Sequence, residues 1–454
     1  IAYKGKWHLS KPAQFSTSLG EKYWTEADVP HLAERWGFDN WGFPDAGDNL
    51  AIGNMGGGNT NNDGRFVDGN GQSAKYGYLP PEITQQQSVL HFLDTYDSDQ
   101  PFCLFVSLVN PHDVLAYPGT GGSLVTVDGQ SIPLYQAAGY SDDAFMNLPI
   151  DVPPTVNESL DTKPRAQTEF RALSNQGNGP INEDDTELQL GYCRFYAYLS
   201  SLVDAEIMKV LQKLDETNRT HDTVVIRISD HGDMAMAHGR QRQKMYNVYQ
   251  ETLNIPLIIS NPVLFNNGGK TTDSLASLID IMPTLATIAG VPDRAAWSFK
   301  GHDLTPIIKD PTAEVQDFVH FTYDDLYFYV PAPNHIRCIT EKNWKYAVYF
   351  DIYGGLQPEY EMYDLVNDPS ETINLAFPSV VAGLTPEQQE AVTIERQRLH
   401  AKLTAAMQEL GTTPDAIIWP ENSGYDPLAS TDLPRHSPYV ESDTVESDSA
   451  EMTH

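Results

Sequence analysis

Cysteine is scarce: Cys103, Cys193 and Cys338 are the only three in 454 residues, too few for a disulfide scaffold. Basic residues are also scarce, 29 against 62 acidic ones, for a formal charge of −33. That shortfall argues against nucleic acid and anionic membrane surfaces as partners, since both are held through basic patches. Any anion site must therefore be basic locally, against a repulsive field at long range. No apolar run approaches the roughly 18 residues of a membrane helix, and no internal repeat is present. The Gly56-Gly57-Gly58 run lacks the Gly-Lys-Ser/Thr that would make it a phosphate loop. There is no initiator Met and no signal peptide. The chain opens Ile1-Ala-Tyr-Lys-Gly-Lys-Trp-His8, which predicts a fragment or a processed chain.

What is present is enough chain for a large core and two domains. The most informative stretch is residues 222–259. Its β-branched run, Val224, Val225, Ile226 and Ile228, predicts a buried strand, in which Arg227 is out of place. The strand ends in Ser229-Asp230-His231-Gly232-Asp233. A carboxylate and an imidazole at the carboxyl end of a strand in an open α/β sheet face the ligand crevice. Their oxygen and nitrogen donors suit a divalent cation, although an Asp-His-Gly alone also reads as a capped turn. Gly232 lets the backbone turn directly after them. His238-Gly239, Lys244 and a second strand over 255–259 follow.

Two further stretches repeat the theme. Residues 101–109 predict another buried strand, ending in Asn110-Pro111-His112-Asp113. In Gly5-Lys6-Trp7-His8-Leu9, an extended backbone sends Lys6 and His8 to one side, where they can grip an oxyanion. Residues 20–80 and 119–180 have loop composition. Helical spacing marks 83–96 and 187–215, the latter with Asp185-Thr186 as a cap. Asp280 reads as an N-cap, with Pro283 in the first turn and Gly290 closing the helix. From about residue 317, strand-like pieces at 319–323, 335–340, 345–350 and 361–365 predict a small antiparallel sheet. A capping box, Thr385 to Gln388, opens a last helix that Gly411 ends.

Together these motifs resemble the sulfatase family of the alkaline-phosphatase superfamily. The matching residues are Gly5 to Leu9 and the Pro101–His112 run. They continue with Ser229, Asp230, His231, Gly232, His238, Gly239, Lys244, Tyr249, Glu251 and Ile255-Pro256-Leu257. The D-x-x-P-T-L pattern from Asp280 and the E-M-Y-D-L run from Glu361 complete the set, in family order from Lys4 to about Leu410. Ser10 and Gln250 depart from the family pattern. The resemblance implies an α/β fold with an alkaline-phosphatase-like, mostly parallel sheet flanked by helices over residues 1–310, its N-terminal part missing. A smaller C-terminal α+β domain with an antiparallel sheet would follow over 311–412, then an acidic tail, 413–454, loosely docked or disordered.

The implied activity is metal-dependent hydrolysis of a small-molecule or carbohydrate sulfate ester to alcohol and inorganic sulfate. The alternatives are a phosphonate or phosphate ester hydrolase of the same superfamily, or a catalytically inactive anion- or metal-binding fragment. By resemblance, Lys6 and Lys244 neutralise the sulfate oxygens, His8 orients the nucleophile and His112, helped by Lys244, serves the leaving oxygen. Asp230 and His231 hold the metal, Ca2+ with Mn2+ or Mg2+ as alternatives. The family nucleophile is a formylglycine made from the Cys or Ser of a C/S-x-P/A-x-R motif. No cysteine here stands in that motif, so the formylglycine and the remaining acidic ligands are expected upstream of Ile1. A periplasmic or extracellular location is implied in the same way.

Overall fold

A computed structural model describes residues 1–10, 29–43, 45–47, 52–71, 81–265, 269–325 and 330–414. The chain separates into two compact units, residues 1–161 with 170–319 and residues 162–169 with 320–454. The acidic tail beyond position 414 lies outside the described residues.

In the first unit, β1 (Ala2–Gly5) and β2 (Leu104–Ser107) pair in parallel, with Gly5 opposite Ser107. Gly5 has φ +110°, and a Cβ there would lie 1.8 Å from the Ser107 carbonyl oxygen, so only glycine fits. β3 (Leu124–Val127) and β4 (Gln130–Pro133) form a hairpin. β5 (Val225–Ile228) pairs antiparallel with β6 (Leu257–Ser260).

The expected single parallel sheet holding both 102–109 and 224–229 is not found among the described residues: β2 and β5 stand in separate two-stranded ladders. The cause is the path after β5. Residues 229–256 bring the chain back at the end where β5 stopped. Leu257 therefore lies opposite Ile228, and β6 must run antiparallel.

The Thr186–Glu216 helix, expected over 187–215, lines one side. Its Val210, Leu211 and Leu214 pack with Val89, Leu93, Leu104, Val106 and Val225. The predicted buried strands are only half-buried, because each is apolar on both faces and has just one neighbouring strand among the described residues. Ile228 and Ile258 are 39% and 49% exposed. The same openness lets Arg227 reach Asp204 at 3.1 Å.

Other local expectations are corrected. Asp185 makes no side-chain cap; its carboxylate accepts instead from the Asn182 amide at 2.7 Å. The helix expected over 83–96 is two, Pro81–Gln87 and Val89–Thr95, because the Ser88 hydroxyl caps the second. Asp280 does not cap Ile281–Ile288; it accepts from the amides of Ser277 and His302. The loop expected over 119–180 contains the β3–β4 hairpin and several helices. Its rings, Tyr135, Tyr140 and Phe145, join Tyr117, Tyr192 and Phe195 in one aromatic core. Within the loop expected over 20–80, Asn62–Val67 is a wholly buried helix.

In the second unit, β7 (Val319–Tyr323), β8 (His335–Thr340), β9 (Trp344–Phe350) and β10 (Glu359–Asp364) form a sheet of order β10-β9-β8-β7. The β10–β9 and β8–β9 pairs are antiparallel. The Pro386–Leu410 helix opens with the Thr385–Gln388 capping box and ends at Gly411, φ +73°. Its Leu399, Leu403 and Met407 are buried.

Candidate active site

Most of the expected site residues follow the carboxyl end of a first-unit strand. Lys6 and His8 follow β1, His112 follows β2, and Asp230 and His231 follow β5. Lys244 follows a tight return in which the Met234 amide donates to Gln243 and the Met236 amide to Gln241.

The Gly5–His8 segment is not extended, so Lys6 and His8 do not share a strand face as the sequence suggested. β1 stops at Gly5, and His8 has φ +44°. Trp7 is the reason: it turns inward against Tyr3 and Phe38, with ring centroids 5.0 and 5.6 Å apart, and leaves His8 exposed. The turn's backbone groups are held by fixed partners. The Lys6 amide donates to the Ser107 carbonyl at 2.8 Å, the Trp41 indole to the Gly5 carbonyl at 2.8 Å, and the Tyr3 hydroxyl to the Lys6 carbonyl at 2.6 Å. The Trp7 and His8 amides both donate to the Asp45 carboxylate, at 2.6 and 2.9 Å.

His112 opens a short 3-10 helix, His112–Ala116. Two buried carboxylates fix its surroundings. Asp63 accepts from the Val109 and Asn110 amides at 2.6 and 3.1 Å, and burial pushes its pKa up to about 7. Asp113 accepts from the Gly56 and Gly57 amides and from the Tyr140 hydroxyl. The His112 Nδ1 is buried without a hydrogen bond among the described residues, 3.8 Å from the Asp113 carboxylate. Burial holds the His112 pKa below its ordinary value; Lys6 and Lys244 lower it further, against the pull of Asp113. Burial and the two lysines thus favour the neutral imidazole.

His231 is held by its own loop: Nδ1 lies 2.7 Å from the Gly232 carbonyl and Nε2 3.2 Å from Asp230 Oδ2. Burial lowers its pKa too, Asp230 opposing and Lys244 and Lys6 adding to the fall. The two lysines thus act electrostatically on the same two imidazoles. Asp233, two residues on, accepts from the Ala235 amide at 2.8 Å and the Tyr192 hydroxyl at 3.2 Å, and burial raises its pKa to about 6. His238, from the family motif, is wholly buried. Its Nδ1 lies 2.6 Å from Glu158 and its Nε2 3.4 Å from Glu251, with the ring stacked 3.6 Å from Tyr249.

Asp230 and His231 alone do not fit a calcium ion. Calcium takes 6–8 oxygen ligands. Here there is one exposed carboxylate and an imidazole with both nitrogens already facing local partners. Among the described residues no group of three or more His, Cys, Asp or Glu is arranged to hold a metal.

Sequence reasoning missed Asp45, Asp63, Asp113 and Asp233 as organisers of the site. Asp45 and Asp63 sit in Gly- and Asn-rich sequence with no periodicity. The Trp7 and Val109 amides that they hold lie more than thirty residues away, which no local pattern reveals.

The family pattern described as Sulfatase matches residues 3–291. This chain belongs to the sulfatase family. A second pattern, that of the N-sulphoglucosamine sulphohydrolase C-terminal region, matches residues 240–398. Arylsulfatase K of Bos taurus is 32% identical over 235 residues, 51% of this chain and 41% of its own length. The Delta 4,5-hexuronate-2-O-sulfatase of Bacteroides thetaiotaomicron is 25% identical over 281 residues, 61% of this chain and 53% of its own. The matched stretch thus spans roughly a third to two-fifths of the first curated relatives, 34%, 41% and 35% of their lengths. Among solved structures, one in complex with its substrate D-glucosamine-2-N,6-O-disulfate aligns with a TM-score of 0.58 at 18% identity, covering 91% of this chain and 81% of that one. The phosphonate monoester hydrolase of Agrobacterium radiobacter aligns with a TM-score of 0.52 at 20% identity, covering 76% and 64%. These structural likenesses show that the chain shares the mixed α/β fold of those proteins.

Proposed function

We propose that this protein hydrolyses sulfate esters, releasing an alcohol and inorganic sulfate, and that its substrates are sulfated sugars. The observation that carries the reading is the Sulfatase family match over residues 3–291; the electrostatic effect of both Lys6 and Lys244 on His112 and His231 supports it. Two ammonium groups at one locus make a basic site on a chain of charge −33. They meet the charge of a sulfate as its ester bond breaks. His112, which burial and both lysines bias towards the neutral form, stabilises the leaving oxygen by donating an N–H. His8 orients the nucleophile, by family resemblance a formylglycine matured from Cys or Ser. The metal, Ca2+ with Mn2+ or Mg2+ as alternatives, requires acidic ligands besides Asp230 and His231. A periplasmic or extracellular setting rests on the resemblance alone; no helix among the described residues is long and apolar enough to cross a membrane.

The relatives named for sulfated substrates support this reading. The phosphonate hydrolase neighbour supports a second, because phosphonate and sulfate esters share tetrahedral geometry and the need for cations around the oxyanion. The test is ester hydrolysis by the full-length enzyme. His112→Ala should lower kcat on a sugar sulfate by on the order of 10²-fold, and less on nitrophenyl sulfate, whose leaving group needs little help. Equal losses on both would remove the leaving-group role, and faster turnover of a phosphonate ester than of any sulfate would favour the second reading.

A further inference from the structure

We infer that Asp45 and Gly47 are the positioning residues of the Lys6–His8 limb: Asp45 fixes its backbone and Gly47 seats the Lys6 side chain. The inference rests on the reading of Lys6 as an anion-binding group.

Asp45 is buried, and its carboxylate has no role in the family motifs quoted above. Oδ1 accepts from the Trp7 amide at 2.6 Å and the Ala46 amide at 2.9 Å; Oδ2 accepts from the His8 amide at 2.9 Å. A loop tie needs one such bond. Here two consecutive amides are taken, the last two before the Cα at which the chain enters the left-handed region at His8, φ +44°. That conformation is unfavourable for any side chain with a Cβ, and it persists only where surrounding contacts over-determine it. Charge-assisted bonds from one carboxylate to both amides supply that constraint. The direction in which the His8 ring leaves the turn is thus set from residue 45.

Gly47, two residues on, acts on the other side chain. It has φ +66°, and a Cβ there would lie 2.9 Å from Val109 Cγ1, 3.1 Å from Lys6 Cδ and 3.3 Å from Lys6 Cε. The Lys6 stem therefore lies along bare backbone, and the Lys6 ammonium is aimed by the surface that the missing side chain leaves open. Residues 45–47 thus govern both functional side chains of the limb through separate contacts, and substitutions can separate them. In Asp45→Asn, the retained Oδ1 keeps Trp7 and Ala46, whereas the amide nitrogen faces the His8 N–H as a second donor.

The test compares the full chain with Asp45→Asn, Asp45→Ala, Gly47→Ala and Lys6→Ala. Hydrogen exchange is read at single amides, and inorganic sulfate binding is read from the rise in thermal midpoint at matched ionic strength. The His8 amide should exchange about tenfold faster or more in Asp45→Asn, the Trp7 amide only in Asp45→Ala, and the β8–β10 amides in neither. Gly47→Ala should leave both amides protected yet weaken sulfate binding about threefold or more, in the direction of Lys6→Ala. Wild-type exchange at His8 in Asp45→Asn, or wild-type sulfate affinity in Gly47→Ala where Lys6→Ala loses it, overturns the corresponding half of the inference while the anion site stands. Sulfate binding that ignores Lys6→Ala overturns the anion-site reading, and the exchange rates still decide whether Asp45 fixes the turn. If Asp45→Ala does not fold, Asp45→Asn and Gly47→Ala carry the test alone.

Discussion

Two sheets in this chain invert the usual link between hydropathy and burial. The β5–β6 ribbon is mostly Val, Ile and Leu, yet its side chains are half-exposed. The β9–β10 pair carries Lys345, Glu361, Tyr346, Tyr349 and Tyr363, and all five are buried. The difference lies in neighbours. β9 has a hydrogen-bonded strand on each side, whereas β5 has one among the described residues. Burial of polar groups is tolerated only where their bonds are met, and in the second unit they are. Glu361 accepts from the Tyr349 hydroxyl at 2.7 Å, the Gln167 amide at 2.9 Å and the Tyr363 hydroxyl at 2.5 Å. Lys345 pairs with the Glu371 carboxylate, and Lys163 donates to the Glu371 carbonyl at 2.6 Å. Strand composition alone does not tell which sheet is enclosed.

The largest effect should come from breaking the enclosed network on one side. Lys345→Met leaves Glu371 buried without its ion pair, which typically costs about 3–5 kcal/mol. The transition of the second unit should fall steeply in denaturant, followed by a probe confined to β8–β10 because the chain has two units. An unchanged midpoint would mean that the network contributes little and that the contrast between the sheets is one of packing alone.

Lys4 sharpens the contrast with the opposite sign. It is buried in β1, and its ammonium has no ion pair among the described residues. Burial lowers its pKa to about 8. A cation whose folded pKa is depressed destabilises the fold fully below that value, and the penalty fades as pH rises towards the unfolded value. Lys4→Met should therefore stabilise the first unit at neutral pH, by about 1–3 kcal/mol after allowance for relaxation. The gain should shrink as pH rises from about 8 and be almost gone above about pH 10. Destabilisation instead would show that Lys4 has a partner in solution.

The long helix, the Thr385 capping box and the four second-unit strands were legible because each rests on local spacing or on a cap within four residues. The left-handed turn at His8 was not. It depends on Trp7 packing and on a carboxylate 37 residues away, so the pentapeptide read alone suggests a plain strand. The folded character of 119–180 was hidden by frequent Gly and Pro, which punctuate short elements as readily as they fill loops. The antiparallel course of β6 was hidden because strand composition carries no direction. The candidate site residues stood out as chemistry next to strand ends; the carboxylates that arrange them carry no pattern of their own.

A smaller, pH-dependent effect is expected at His238. Burial opposes its protonation, but Glu158 and Glu251 outweigh burial and raise its pKa. A histidine whose folded pKa is raised contributes stability that is fully present below its unfolded pKa and lost as pH rises through the folded one. The midpoint difference between the wild type and His238→Gln should accordingly be widest near pH 5–6 and narrow towards pH 8–9. A difference that is flat across that range would mean that the ring is held by stacking on Tyr249 and not by charge.

The smallest effect is expected on the open ribbon itself. Ile228 lies opposite Leu257 and Ile258 opposite Arg227, so the two isoleucines sit on opposite faces of the β5–β6 ribbon, and both are substantially exposed. A buried Ile loses both transfer free energy and packing when it is replaced by a smaller polar residue, commonly 1 kcal/mol or more. An exposed one loses little, and Thr keeps the β-branch that suits a strand. Ile228→Thr and Ile258→Thr should each change first-unit stability by no more than about 0.5 kcal/mol. Such small values, set beside the Lys345→Met loss, would show that the apolar ribbon holds the fold less than the charged sheet does. A cost above about 1.5 kcal/mol for either substitution would break the comparison, because it would mean that these side chains are covered in solution and that β5 and β6 are enclosed on both faces after all.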